Sequence, residues 1–274
     1  MGLTFVLHGC IENWDPARQA MRMYAPEESL RRHLTERPTP YVDPEDGGDG
    51  DVLTIDDSTH GAARACLLAR QLGHAVTLFL NPSQIISGRD YWFSRFDALV
   101  DARRASTVEY ARTTYDLRSR QGLRDFRWAA RAQLLVSRED VAHRLLDDIA
   151  VLLQAGQPEV LHFARSIRLA ELAALREAGV RFGSHGWDHQ SIGSLSPAEQ
   201  LSQVADTRDW LRETTGREPR DYAIPFGQER LDARARAAVP GIIYLVSPTP
   251  APDSAGEGYR YRLNLTPSLQ AGYG

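Results

Sequence analysis

Short apolar runs alternate with helix-patterned stretches along this 274-residue chain. Leu3-Thr4-Phe5-Val6-Leu7 is a β-rich run ending at His8-Gly9 and reads as a first strand. The polar stretch behind it, with Pro38, Pro40, Pro44 and Gly47-Gly48, reads as a long loop. Residues 51–56 then form a buried strand, residues 62–72 carry helix formers that stop at Gly73, and residues 75–80 make another strand closed by Asn81-Pro82. Strand, helix, strand at this spacing is a βαβ unit, and its crossover makes the two strands parallel.

From Tyr91 to Ala155 the chain is Arg-rich and helical in period without a clear strand, so a helical insertion is expected over residues 91–155. Within it, Ser137 followed three residues later by Asp140 predicts the N-cap of a helix through Leu145, Ile149 and Leu153. The α/β rhythm then resumes. A helix over 169–178 stops at Gly179, a strand follows over 180–184, and Ser196-Pro197 opens a helix through Leu211 that ends at Gly216. Tyr222-Ala223-Ile224 and residues 241–246 supply two more strands. Pro248, Pro250 and Pro252 mark a loop before a last strand over 259–265. There is no internal repeat. The expectation is one α/β domain over residues 1–274, long enough for a barrel.

Composition narrows the function classes. Hydrophobic content of 42%, charged content of 25% and a net charge of −4 are ordinary for a folded domain and lack the basic excess of a nucleic-acid binder. No apolar window is long enough for a membrane span, and the amino terminus lacks the basic start and apolar length of a signal peptide, so a soluble, cytoplasmic protein is expected. Cys10 and Cys66 are too few for a disulfide scaffold or a four-cysteine zinc site. All 32 basic residues are arginine, which excludes Schiff-base, pyridoxal-phosphate and P-loop lysine chemistry.

In repeated parallel βα units, residues at the carboxyl ends of strands gather at one face. Three such ends stand out. Asp56-Asp57 closes the strand over 51–56, and adjacent carboxylates repel unless a cation or a solvated turn relieves them. His185-Gly186-Trp187-Asp188-His189 follows the strand over 180–184, with two imidazoles at a spacing that suits one metal ion and with Gly183 and Gly186 permitting close approach. Asp57, His185 and His189 would make three ligands of types suited to zinc, leaving a position for water, while Asp56 takes a proton. Nickel, cobalt or iron would accept the same residues. At Ile224-Pro225-Phe226-Gly227, proline stops the strand and the Phe226 N–H is free for a plain turn or for an oxyanion.

Thr54-Ile55-Asp56-Asp57, His185-x-x-x-His189 after Gly183-Ser184, and Tyr222 to Gly227, in that order, resemble the first three motifs of the polysaccharide deacetylase (NodB homology) family. The resemblance covers roughly residues 51–90 and 168–246. It implies a distorted (β/α) barrel, here with the helical insertion. It further implies Asp57, His185 and His189 as metal ligands, Asp56 as the base that activates water, and Phe226 as the backbone donor to the tetrahedral oxyanion. Three departures stand out. Ser58 replaces a glycine that normally closes the first motif. Ala223 and Ile224 stand where many members carry an Arg that pairs with the base. No late histidine is present to protonate the leaving amine, for which Asp56, His8 and His60 remain candidates. Arg262, in a late strand, is a candidate to hold the base or an anionic substrate. Tyr91, Trp92 and Trp187 are candidates to stack on a sugar ring. Trp187, Trp92, Arg262 and His8 thus form the expected substrate-binding set.

The function these residues imply is metal-dependent removal of an N-acyl group, N-acetyl above all, from an amino sugar, as a small-molecule or lipid-linked substrate. N-deformylation or another amide hydrolysis would use the same machinery. A carbohydrate-binding pseudoenzyme is the alternative of a different class, against which the retained Asp56 argues, since binding alone needs no base. The sequence leaves the oligomeric state open.

Overall fold

The computed structural model describes residues 2–46, 49–227, 229–247 and 258–271. Seven strands, β1 (Thr4–Leu7), β2 (Val52–Asp56), β3 (Thr77–Leu80), β4 (Arg181–Ser184), β5 (Tyr222–Ala223), β6 (Ile243–Ser247) and β7 (Tyr259–Asn264), are all parallel. They neighbour one another in chain order, and β7 pairs back onto β1 to close a barrel. Parallel strands need crossovers, and helices are described in each connection from β1 to β6. The helices are α1 (Glu27–Glu36), α2 (His60–Gln71), α3 (Pro82–Ser87), α4 (Trp92–Asp101), α5 (Arg120–Leu135), α6 (Glu139–Leu152), α7 (Leu169–Glu177), α8 (Pro197–Thr215) and α9 (Ala233–Ala237), with α10 (Thr266–Gln270) after the last strand.

Strand alternation sends side chains to two different environments. Leu53, Ile55, Leu78 and Leu80 face outward onto Ala62, Ala65, Cys66 and Ala69 of α2 and Leu172 and Leu175 of α7. Each such large aliphatic side chain contributes about 1.5–3 kcal/mol through burial. The interleaved positions face inward: Thr54, Asp56, Phe79, Ala223, Tyr244 and Arg262 fill the barrel with polar and aromatic groups. Gly183 is required here, because a Cβ would lie 2.3 Å from the Phe79 ring.

The sequence expectations hold for the barrel strands to within two residues at their ends, and the caps of α8 are as expected. Ser196 forms a capping box with Glu199, and Gly216 closes the helix at φ 73°. Several others are corrected. The long loop after β1 contains α1 and a two-strand pairing of Cys10–Ile11 with Ala25–Pro26. Asn81-Pro82 closes β3 as expected, and beyond that reading it starts α3, with proline in the first turn. The 91–155 segment is not purely helical: Thr107–Tyr110 and Thr113–Asp116 form an antiparallel hairpin between α4 and α5. Its turn residues, Ala111 and Arg112, adopt φ 50° and 63°, so the usual Asn-Gly signature is absent. Ser137 does not cap α6; its hydroxyl donates to the Gln133 carbonyl of the preceding helix, and Arg138 takes the cap position. Gly47-Gly48 and Pro248, Pro250 and Pro252 lie outside the described residues. The 91–155 segment enters after α3 and builds an apolar cluster around Phe96, Leu99, Phe126, Leu134 and Leu146.

Candidate active site

The carboxyl ends of β1, β2, β4 and β5 converge on a cavity of about 210 Å³ lined by His8, Asp56, Asp57, His185, His189, Ile224 and Phe226. Met23, Gly227 and Val246 also line it, and Phe93 and Arg131 close it from the 91–155 segment. Among the described residues six non-glycines have positive φ, and three of them are here: Asp57 at 75°, His189 at 59° and Phe226 at 60°. Such conformations cost of order 1–3 kcal/mol each and persist only where the surroundings enforce them.

The enforcing contacts are visible. The Ser58 N–H donates to the Tyr91 hydroxyl at 2.7 Å, which in turn donates to Asn81 Oδ1 at 2.8 Å. The Asn81 amide donates to the carbonyls of His185 at 2.6 Å and Gly186 at 3.0 Å, and the Asn81 N–H to Ser58 Oγ at 2.9 Å. One buried network therefore ties the Asp57 turn to the His185 turn, and Ser58 enters it where the family's glycine would offer no side chain. Ile224 to Gly227 is a β-turn closed by Gly227 N–H donating to Ile224 O at 3.0 Å. Proline at its second position and positive φ at its third match a type II turn, which usually takes glycine where Phe226 stands. The Phe226 ring meets His189 edge-on at 4.7 Å, and its N–H makes no hydrogen bond among the described residues.

Asp57, His185 and His189 are buried and bring one donor atom each to within 4.8 Å of one another. His185 Nδ1 lies 2.8 Å from the Ala223 carbonyl oxygen, which can only accept, so Nδ1 carries the proton and Nε2 offers a lone pair. Burial pushes the His185 pKa down to about 4, keeping the ring neutral. Burial would raise the Asp57 carboxyl, but the nearby imidazoles, His189 first, outweigh it and hold it at about 2. Asp57 Oδ1 is buried without a hydrogen bond, 3.1 Å from His189 Nε2 and 3.7 Å from His185 Nε2. A buried carboxylate oxygen aimed between two imidazoles fits a divalent cation with Asp57, His185 and His189 as ligands.

Asp56 has a different environment. Arg262 grips it with both ends of the guanidinium, Nη1 to Oδ1 at 2.6 Å and Nη2 to Oδ2 at 2.7 Å, and Nη1 also donates to Thr54 Oγ1 at 3.1 Å. Both partners are buried, with Arg262 between the rings of Phe79 and Tyr244, each 5.6 Å away. Burial alone would raise the Asp56 pKa; Arg262, then His185, hold it below the usual carboxylate value.

The remaining sequence candidates divide. His8 lines the cavity. Arg262 does not reach a substrate: it is fully buried beneath Asp56 and supplies, from β7, the cation absent at Ala223 and Ile224. Tyr91 is buried and stacked on Phe93 at 4.8 Å, so it is no sugar platform. Trp92 is nearly buried against Phe93 and Phe226, and Trp187 lies outside the cavity lining, its N–H donating to Gln203. His60 stacks on His162 at 4.1 Å and pairs with Glu171, outside the same lining. Asn81 and the positioning role of Tyr91 had no sequence signal beyond the Asn-Pro at a strand end.

An acid-and-imidazole cluster at the carboxyl mouth of a closed parallel barrel lies where barrel enzymes place their active sites. Residues 45–244 match the model of the polysaccharide deacetylase family, and the chain belongs to that family. The family is metal-dependent, its members are hydrolytic deacetylases acting on C–N bonds other than peptide bonds, and this chain is a hydrolytic deacetylase with a candidate metal site at Asp57, His185 and His189. The barrel is similar to the Streptococcus pyogenes deacetylase PplD in complex with acetate, with a TM-score of 0.62, 13% identity, and coverage of 97% of this chain and 92% of that one. It is also similar to IcaB from Ammonifex degensii, with a TM-score of 0.56, 13% identity, and 98% and 94% coverage. The de-N-acetylase from Aggregatibacter actinomycetemcomitans gives 0.55, 11%, 96% and 94%. At these identities the likenesses show the fold alone. None of the described helices is long and apolar enough to cross a membrane.

Proposed function

We propose that the chain removes the N-acetyl group from an amino-sugar unit of a small or lipid-linked metabolite, with Asp57, His185 and His189 holding a zinc ion. The observation that carries this reading is the division of labour between two adjacent carboxylates: Asp57 turns toward the imidazoles, while Asp56 is held ionised by Arg262 and faces the same cavity. When bound, the metal supplies Lewis acidity, lowering the pKa of water and polarising the acyl carbonyl. Asp56 accepts the proton of the attacking water. As the carbonyl carbon becomes tetrahedral, the unbonded Phe226 N–H donates to the oxyanion. The C–N bond breaks when the nitrogen gains a proton, and His8 is the one imidazole in the cavity lining outside the ligand set, so we assign it that step. A cavity of about 210 Å³ is smaller than most drug-sized pockets and suits an acyl group with part of one sugar ring, the rest lying outside. The 91–155 segment, through Phe93 and Arg131, shapes this acceptor pocket as an insertion in a single catalytic domain. Two free, buried cysteines support a cytoplasmic setting.

Acetate release from N-acetylated amino sugars, followed enzymatically for wild type and Asp56→Asn at matched zinc content, tests the reading. Loss of a general base is expected to lower kcat by about 100-fold or more with zinc retained. Unchanged turnover in Asp56→Asn would refute the assignment.

A further inference from the structure

Arg131 on α5 is a cation facing the catalytic cavity whose neighbouring anion, Asp97, is hydrogen-bonded to another guanidinium. Along α5, Phe126, Ala130 and Leu134 form the buried stripe, which sets Arg127 and Arg131, one turn apart, on the flank toward α4. Arg127 is engaged through both ends of its guanidinium: Nη2 donates to Asp97 Oδ1 at 2.7 Å and Nη1 to Gln19 Oε1 at 2.5 Å, while its Nε is buried without a partner. Asp101, the other acid on α4, accepts from the backbone N–H groups of Gln19 at 2.8 Å and Ala20 at 3.1 Å. One carboxylate, Asp97, is therefore left to two guanidiniums, and it bonds the other one. Arg131 makes no hydrogen bond or ion pair among the described residues; its guanidinium carbon sits 5.6 Å from the Trp92 ring centroid, and the side chain lines the same cavity as Asp56, Asp57 and His8. Trp92 in turn leans on Phe226 at 6.1 Å, fixing the guanidinium beside the proposed oxyanion turn.

A planar fork of five N–H donors, partly withdrawn from water and unpaired, is built to take a planar or tetrahedral oxyanion in two-point contact. Asp56 cannot fill that role, being committed to Arg262. We propose that Arg131 is a specificity-determining residue that binds an anionic substituent, a carboxylate or a phosphate, on the acylated amino sugar. The inference rests on the deacetylase reading and narrows its substrate class to acidic amino sugars.

The test uses the full-length protein as purified, with wild type, Arg131→Met and Arg131→Lys. Acetate release is measured on N-acetylglucosamine, N-acetylglucosaminuronic acid and N-acetylglucosamine 6-phosphate, and calorimetry measures binding of the three corresponding amines, which are not turned over. Wild type is expected to favour the carboxylate or the phosphate arm over the neutral sugar, the favoured arm naming the source of the anion. In Arg131→Met the ratio of anionic to neutral kcat/KM, and the corresponding ratio of affinities, is expected to fall by about tenfold or more, since a two-point charged contact is lost. Arg131→Lys, which keeps the charge but not the fork, is expected to fall between. Equal treatment of the three sugars by wild type, or an unchanged ratio in Arg131→Met, would overturn the proposal. Acetate release without anion preference overturns this inference alone. Anion-selective binding that Arg131→Met abolishes, without acetate release from any sugar, upholds the anion contact at Arg131 and overturns the deacetylation of these sugars instead. No binding of any amine overturns the anion contact at Arg131.

Discussion

The Asp56 carboxylate and the Arg262 guanidinium meet inside the barrel, 206 positions apart in the chain, with two charged hydrogen bonds and no exposed surface to share. Taking two charges out of water is expensive, and the pair is favourable only as a pair. Arg262→Met is therefore expected to lower the unfolding free energy by about 3 kcal/mol or more, because it strands a buried anion. The double variant Asp56→Leu with Arg262→Met is expected to recover most of that loss in urea unfolding. Two losses that simply add would contradict the coupling. At this scale, chemistry-bearing residues were legible where residue type and local spacing carry the signal: Asp56, Asp57, His185, His189 and Phe226 all arrive at one cavity. Residues whose role depends on a distant partner were not. Local sequence leaves Arg262 between holding the base and holding an anionic substrate, because no local pattern reveals that it points inward onto Asp56. Asn81 bonds carbonyls 104 and 105 positions away, and Arg131 is one arginine among many until Asp97 is seen to be taken.

Elements were legible in proportion to the strength of their punctuation. Proline, glycine and capping signals marked the boundaries of α7 and α8 and the barrel strands, where local preference and tertiary packing agree. The hairpin after α4 was hidden because its turn uses Ala111 and Arg112, both exposed and both in left-handed conformation. Side chains there gain nothing from burial and strain the backbone. Replacing them as Ala111→Asn with Arg112→Gly supplies the favoured turn pair and is expected to raise stability by about 0.5–1 kcal/mol, read as an upward shift of the urea midpoint. A downward shift would mean that this turn is not held in the left-handed region. The misplaced cap of α6 has a similar cause: Ser137 satisfies its hydroxyl on the Gln133 carbonyl of α5, a local competitor that the S-x-x-D pattern does not reveal.

For the whole molecule, seven parallel strands in sequential order bring the strand ends to one mouth, and the strain at Asp57, His189 and Phe226 is concentrated there. The Ser58–Tyr91–Asn81 network and the aromatic rings of Phe93 and Phe226 against His189 hold that strain in place. Fold and family follow from the barrel and the family match. The cation that the ligand set is built for is the element on which the proposed chemistry turns. Its direct test is elemental analysis of wild type and His185→Ala, purified without added metal or chelator, with circular dichroism to confirm that both are folded. About one zinc per wild-type chain, and less than about a tenth of that in folded His185→Ala, is the expected result. Equal metal content in both proteins, or none in wild type after zinc is supplied, would contradict a metal site at Asp57, His185 and His189.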